Sequence, residues 1–390
     1  MKKQKLLFVC NNLHIGGIQR SLLNLLDEIA DKYDITLFLF YPCGEYELPK
    51  NVRIIGGNRY TRIMGMSQSE AAEEGIRCRL WRSLWVVITR IFGCKIPFAA
   101  LCGFQKLSGK YDAAISFMQN SAFRFFYGGC NEFVIKSVKA KKKISFVHCD
   151  FEHYFGNNAY NRKFYKNFDL TACVSNSCKA AFERVCPDLK EKTCVVHNCF
   201  NYEQMQHFAE EFSPFCNKGK INIFTSARIS AEKGIFRMIP IFEKLKGKGF
   251  EFVWRIAGGG ADLEKAVSEC EKRGLKENIL FLGMQKNPYP YFKDCDLVLV
   301  PSFDEAAPMV FGEAAAFGVP VLTTETVSAK ELVEDKKIGF VCENSDLGLE
   351  NALENLLKDK EKIYKSRYLP KGDNIAAVKE FEDIVSGRQQ

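Results

Sequence analysis

Short, continuously apolar runs recur along the chain, each followed by a stretch with apolar residues at helical spacing. Residues 5–10 (KLLFVC), 34–40 (DITLFLF), 111–118 (YDAAISFM), 143–149 (KISFVHC) and 170–175 (LTACVS) read as β-strands. The rhythm restarts at 221–227 (INIFTSA) and continues through 251–258 (EFVWRIAG), 278–283 (NILFLG), 296–302 (DLVLVPS) and 320–324 (PVLTT). Strands that are apolar throughout, rather than alternately, are buried on both faces, as in parallel sheets covered by helices. Two such series predict an α/β chain of two doubly wound, Rossmann-like domains facing a cleft. The rhythm lapses over 201–220, a polar stretch that holds Pro214. The predicted organisation is an N-terminal domain over 1–200, a linker over 201–220, a C-terminal domain over 221–370 and a terminal segment over 371–390.

One segment departs from the alternation. Residues 77–106 (RCRLWRSLWVVITRIFGCKIPFAALCGFQK) combine Trp81 and Trp85 with Arg77, Arg79, Arg82, Arg90 and Lys95. Rings and cations together suit a membrane interface with anionic headgroups. An amphipathic helix packed on the sheet accounts for the same pattern, and both readings stand at this point.

The length, 390 residues, suits two domains, and the 33 Phe in a chain 47% apolar supply large cores. The net charge of +8 is uneven: residues 1–200 hold 29 Lys and Arg against 17 Asp and Glu, residues 201–390 hold 26 against 30. A basic first half points to an anionic partner, membrane lipid, nucleic acid or a phosphorylated ligand, or serves solubility alone. Sixteen cysteines without C-x-x-C spacing read as buried free thiols in a reducing compartment. With five histidines and no paired-ligand spacing, no zinc site is expected. The apolar run at the start is too short for a signal sequence, and no segment reaches the roughly 18 apolar residues of a membrane span. A cytoplasmic location is therefore expected.

Candidate chemistry clusters at the carboxyl ends of the predicted strands. Gly16-Gly17 follows the first strand and opens a helix, a turn that lets backbone approach an anion; it is not the G-x-G-x-x-G dinucleotide fingerprint. His148 follows another first-domain strand. In the second domain, Arg228 and Lys233 flank the turn after 221–227 and suit a diphosphate. Gly258-Gly259-Gly260 ends the next strand, where backbone can approach a flat ligand. Glu305 and Glu313 bracket AAPMVFG, with Pro308 starting a helix over 311–317. Such a carboxylate pair can accept hydrogen bonds from sugar hydroxyls or cap the helix, and the free N–H groups at the helix start can bind an oxygen.

Together these residues resemble glycosyltransferase family 4, the retaining enzymes of the GT-B fold. The most specific part is the E-x7-E pair Glu305 and Glu313 within SFDEAAPMVFGEAAAFGVPV, joined by Gly16-Gly17, VSNS (174–177), His197-Asn198, Arg228, Lys233-Gly234, AGGG (257–260) and FLG (281–283). The resemblance implies that Glu313 holds the ribose of a nucleotide sugar, UDP-linked above all, and that Glu305 contacts the donor sugar. It implies that Arg228 and Lys233 grip the diphosphate as leaving group, that Gly16, Gly17, Gly258 and Gly259 approach the donor, and that His148 meets the sugar near the reacting carbon. Backbone at Ala307, Pro308, Met309 and Val310 is implied to bind sugar hydroxyls. It further implies an acceptor-side first domain, a terminal helix around 374–386 that returns to it, no cofactor and no metal. Cys199 after His197-Asn198, and Ala306-Ala307 after Glu305, depart from the family's usual residues and leave the sugar's identity open. The implied acceptor is a saccharide, including the polyprenyl-diphosphate-linked oligosaccharides of surface polysaccharide, reached through peripheral membrane contact at 77–106; nucleic acid is not a partner. A nucleotide-sugar-binding protein without turnover and a sugar-nucleotide epimerase are the alternative readings.

Overall fold

The computed structural model describes residues 3–44, 48–214, 219–369 and 372–387. Parts of the expected linker (215–218), the 370/371 boundary and the last residues of the terminal segment (388–390) lie outside the described residues. Two units are distinguished, Met1–Cys199 with Asn374–Gln390, and Phe200–Asp373.

The first unit is built on a seven-stranded sheet of order β3-β2-β1-β4-β5-β6-β7. Its strands are β1 Lys5–Cys10, β2 Asp34–Leu39, β3 Val52–Gly56, β4 Tyr111–Ser116, β5 Ala140–Val147, β6 Leu170–Cys173 and β7 Thr193–Val195, all paired in parallel. Central β1 is covered on both faces, Leu6 to Cys10 being inaccessible to solvent, which is why its sequence carries no polar alternation. The helix Ile375–Ser386 belongs to this unit: Phe381 stacks on Phe8 with ring centroids 5.8 Å apart, and Ala377, Val378, Ile384 and Val385 share the same core. Glu380 on that helix receives the backbone N–H of His197 at 2.9 Å and bonds its ring.

The second unit holds a six-stranded parallel sheet of order β10-β9-β8-β11-β12-β13. The strands are β8 Ile221–Ser226, β9 Phe252–Ala257, β10 Ile279–Gly283, β11 Leu297–Val300, β12 Val321–Thr324 and β13 Gly339–Cys342. The stretch expected as a linker carries a helix, Tyr202–Ala209, whose Met205 and Ala209 are buried in this unit's core. In both sheets the strand order reverses beside the first strand of the unit, between β1 and β4 and between β8 and β11. Flanking connections leave in opposite directions there, so ligands of such sheets sit at that point on the carboxyl edge.

Residues 77–106 form two helices, Ile76–Phe92 and Lys95–Gly103. The structure corrects the expected use of the tryptophans. Trp85 is buried, and half-buried Trp81 packs edge-on against it (5.4 Å) and against Tyr60 (6.0 Å), with its indole N–H directed at the Tyr60 carbonyl. The outward face is aliphatic instead: Ile76, Leu80, Leu84, Val87 and Ile91 are each half or more exposed. Among the described residues no helix is long and apolar enough to cross a membrane. The described cysteines are free thiols, most of them buried.

Candidate functional site

Three adjacent strands, β9, β8 and β11, bring the second unit's candidates to one stretch of the sheet's carboxyl edge. After β8 the chain makes a short 3-10 turn, Ala231–Lys233, and enters the helix Ile235–Gly247 through Gly234. Gly234 has φ +70°, and a Cβ there would lie 1.8 Å from the Pro301 carbonyl oxygen. Only glycine permits so close an approach, and it brings Lys233 against the loop after β11. There Lys233 Nζ meets Glu305 Oε1 at 2.6 Å, and the Ser302 hydroxyl donates to the same oxygen at 2.7 Å. Glu305 thus answers the capping alternative: its carboxylate is taken by Lys233 and Ser302, and the helix Met309–Ala316 begins at Pro308 without a side-chain cap.

Arg228 is the exposed cation of the pair, its side chain 70% accessible against 20% for Lys233. It reaches Glu232 Oε1 at 3.2 Å, where the Ser230 hydroxyl also donates at 2.7 Å. Burial raises the Glu232 carboxyl, but Ser230, the backbone, Arg228 and Lys233 outweigh it and hold it below its ordinary value. Both cations are therefore kept in place by carboxylates while Arg228 retains donors open to solvent. Gly258 backs this turn: its φ is +155°, and a Cβ would lie 1.9 Å from the Ala227 carbonyl oxygen. Gly259 accepts the Ile229 N–H at 2.8 Å, which ties the end of β9 to the Arg228 loop.

The helix that carries Glu313 starts two residues earlier than the sequence pattern predicts, at Met309 rather than 311. Pro308 is extended (φ −64°, ψ 132°) and leads into the first turn, where Met309 is buried and Val310 partly so. First-turn N–H groups lack intrahelical acceptors, so the backbone of Met309 and Val310 suits an oxygen-rich ligand, whereas Pro308, expected in the same role, has no N–H to donate. Glu313 lies one turn further, 7% exposed.

In the first unit, Gly16 and Gly17 stand at the turn from β1 into the helix Gly17–Ile29, and His148 directly follows β5. Only β4 separates β1 from β5, so they share one carboxyl edge about 10 Å across. The Gln19 side chain folds over Gly16, where a Cβ would come within 2.7 Å of its amide oxygen. His148 stacks on Phe146 (5.7 Å) and packs at a tilt against Phe117 (4.8 Å), and its backbone N–H donates to the Gln119 side chain. Burial pushes its imidazole down to about 3, although a hydrogen bond to the Phe117 backbone opposes this. The ring is neutral at physiological pH, and its covered Nε2 has no hydrogen-bond partner among the described residues. Sequence reasoning missed Ser302, Glu232 and, in the first unit, Cys43 and Glu70, which meet His14. Serine and glutamate are common in loops, and only the fold shows which of them face a partner.

Residues 208–368, all but the ends of the second unit, match the family model described as glycosyl transferases group 1. An uncharacterized glycosyltransferase of Methanocaldococcus jannaschii is 28% identical over 169 residues, 42% of this chain and 41% of that protein. The capsular polysaccharide biosynthesis glycosyltransferase CapM of Staphylococcus aureus is 27% identical over 135 residues, 34% of this chain and 35% of that protein. The chain thus spans well under two thirds of the length of either relative. The crystal structure of Anabaena HepE in complex with UDP and glucose is 16% identical, with a TM-score of 0.69 over 98% of this chain and 99% of that one. At such identity the likeness concerns the fold, which is α/β with two Rossmann-like parallel-sheet units of the GT-B class, and the group 1 match with its named relatives supports a glycosyltransferase.

Proposed function

We propose that the chain is a retaining, metal-independent glycosyltransferase that moves a hexose-type sugar from a UDP-linked donor to a saccharide acceptor. The observation that carries the reading is the Lys233–Glu305 contact at the strand-order reversal of the second unit, beside an uncapped helix start and the buried Glu313. In this reading Glu313 accepts from the ribose hydroxyls and Arg228 and Lys233 hold the diphosphate. As the bond between the anomeric carbon and the phosphate oxygen breaks, those cations and the helix N–H groups stabilise the charge on the departing phosphate, the part a metal plays elsewhere. The acceptor oxygen bonds to the same face of that carbon, and its proton passes to the leaving phosphate. Glu305 contacts the sugar through the oxygen not shared with Ser302 and Lys233. For His148, contact with the sugar rests on its place after β5 on the carboxyl edge; its ring is neutral, and the Nε2 covered in this structure accepts from a sugar hydroxyl only once the side chain turns.

The HepE structure is a complex with UDP and glucose, and CapM is a capsular polysaccharide biosynthesis glycosyltransferase; a UDP-sugar donor and a surface-polysaccharide acceptor are proposed here on that likeness. A cytoplasmic site of action at the inner membrane face is proposed with them. Its support is the outward stripe Ile76, Leu80, Leu84, Val87 and Ile91, flanked by exposed Arg77, Arg79, Arg90 and Lys95, with no Asp or Glu between Glu74 and Asp112. Apolar insertion and attraction to anionic lipid reinforce one another on such a face. The experiment is a thermal-shift panel of UDP, GDP, ADP and their sugars in the presence of a chelator, followed by NMR of the product's anomeric configuration. A shift with UDP compounds and a product that keeps the donor's configuration is expected; turnover that needs Mg²⁺, or an inverted product, refutes the proposed chemistry. For the membrane face, Leu84→Asp with Val87→Asp should abolish sedimentation with anionic liposomes, and unchanged sedimentation refutes it.

A further inference from the structure

Two groups of described residues bring three metal-ligating atoms within 4.8 Å of one another, His14 with Cys43 and Glu70, and Asp150 with Glu152 and His153. The second group is local to one loop, and its Glu152 is already held by Arg184 at 2.6 Å. The first is assembled from afar. His14 follows β1, Cys43 follows β2, and Glu70 sits in the helix Gln68–Glu73. His14 Nε2 lies 2.6 Å from Glu70 Oε1 and 3.5 Å from Cys43 Sγ, and Sγ lies 3.9 Å from the same carboxylate oxygen.

This is not the arrangement of a nucleophilic triad. A relay needs the acid on one ring nitrogen and the thiol on the other, whereas here both partners face Nε2. Three donor atoms converging on one point is the arrangement of a metal site. Tetrahedral zinc, with Zn–S about 2.3 Å and Zn–N and Zn–O about 2.0–2.2 Å, sets sulfur-to-nitrogen and sulfur-to-oxygen edges near 3.5 Å and a nitrogen-to-oxygen edge near 3.3 Å. The sulfur-to-nitrogen edge matches, the sulfur-to-oxygen edge is longer by about 0.4 Å, and the nitrogen-to-oxygen edge needs exposed His14 to move by about 0.7 Å.

The ligands are also held from behind. Glu70 Oε2 receives the Ser67 N–H at 2.6 Å while the Ser67 hydroxyl receives the Glu70 N–H, a capping box that fixes the carboxylate and leaves Oε1 to the cluster. The Leu13 N–H donates to the Cys43 carbonyl at 2.9 Å, and a Leu13–Gly44 bridge joins the two loops. Such outer contacts orient metal ligands and strengthen binding. We propose that His14, Cys43 and Glu70 bind one borderline divalent transition-metal ion, zinc by the chemistry of an imidazole, a thiolate and a carboxylate. The site goes beyond the transfer chemistry above, whose leaving-group cations belong to the second unit. Placed two residues before Gly16, the ion clips three segments together at the point where the first sheet reverses strand order.

The test uses the full chain, stripped with a chelator and titrated with Zn²⁺ against a competing chromophoric chelator, and separately with Co²⁺. One Zn²⁺ per chain is expected, weakened at least about tenfold in each of Cys43→Ser, His14→Gln and Glu70→Gln. Glu70→Gln keeps an oxygen for the capping box, so the helix start survives. Co²⁺ should give a near-ultraviolet thiolate-to-metal band in the parent that is absent in Cys43→Ser. No stoichiometric Zn²⁺ binding, or a band and affinity that survive in Cys43→Ser and so belong to another thiol, overturns the proposal. Equal circular dichroism of parent and variants without metal separates loss of a ligand from loss of fold, and no readout depends on sugar transfer.

Discussion

Replacing Glu132 by Gln should stabilise the first unit, and by an amount that grows with pH. Glu132 is inaccessible to solvent in the helix Cys130–Ser137; its Oε1 accepts from Asn120 and Tyr160 at 3.1 Å each, and its buried Oε2 has no hydrogen-bond partner among the described residues. Burial pushes its carboxyl up from 4.5 to about 7, against the hydrogen bonds from the backbone, Tyr160 and Asn120. The folded value lies above the unfolded one, so this group's contribution is fully present below pH 4.5 and is lost as pH rises through 7. The total loss is about 3 kcal/mol, of which about 1 kcal/mol has already gone by pH 5. Between pH 5 and pH 8 the parent should therefore lose about 2 kcal/mol relative to Glu132→Gln, an offset unaffected by any fixed cost of the amide. Hydrogen exchange read separately on peptides of each unit measures this, with the second unit as internal reference. The protection ratio of variant to parent across β4 and β5 should rise roughly 30-fold from pH 5 to pH 8. A ratio that stays constant over that range refutes the claim that the carboxyl is held protonated.

Lys233→Ala and Arg228→Ala should each lower kcat about 10²–10³-fold with smaller changes in donor KM, because leaving-group charge develops in the transition state; steady-state kinetics with equal losses in binding alone would count against that role. Glu313→Ala should weaken UDP binding about 10–100-fold in calorimetry, the worth of hydrogen bonds to a charged group, and unchanged affinity would return Glu313 to a structural part. Gly258→Ala should destabilise the second unit by at least about 2 kcal/mol in denaturant unfolding, since the backbone at φ +155° and the Ala227 carbonyl leave no room for a methyl group. A shift below 0.5 kcal/mol would show that the turn rearranges freely.

The central strands were legible in the chain because burial on both faces removes polar alternation: β1, β2, β4, β8, β9 and β11 were all predicted as apolar runs. The strands that escaped, β3, β7 and β13, lie at sheet edges, where one side of the ladder is open; the side chains of β3 and β13 are only partly covered, and β7 is largely buried but three residues long. Their short, mixed sequences (VRIIG, TCV, GFVC) carry no such signal. The tryptophans of 77–106 misled for a related reason. Composition placed rings and cations on one helix, but which face turned inward depended on Tyr60, from a distant loop, and on Phe104, which follows the second helix.

At the candidate site, sequence sufficed for residues that a local pattern marks: Gly234 and Gly258 at turns that exclude a side chain, and Glu305 and Glu313 bracketing a helix start. It could not join them. The contact of Lys233 with Glu305 spans 72 positions and that of His14 with Glu70 spans 56. Side chains so far apart meet only because β8 pairs with β11, and because the loops after β1 and β2 are bridged beside a capped helix. Periodicity and turn chemistry are short-range properties that a chain displays residue by residue. Pairing order, helix facing and the company a buried carboxylate such as Glu132 keeps are settled by packing, which weighs the whole unit at once.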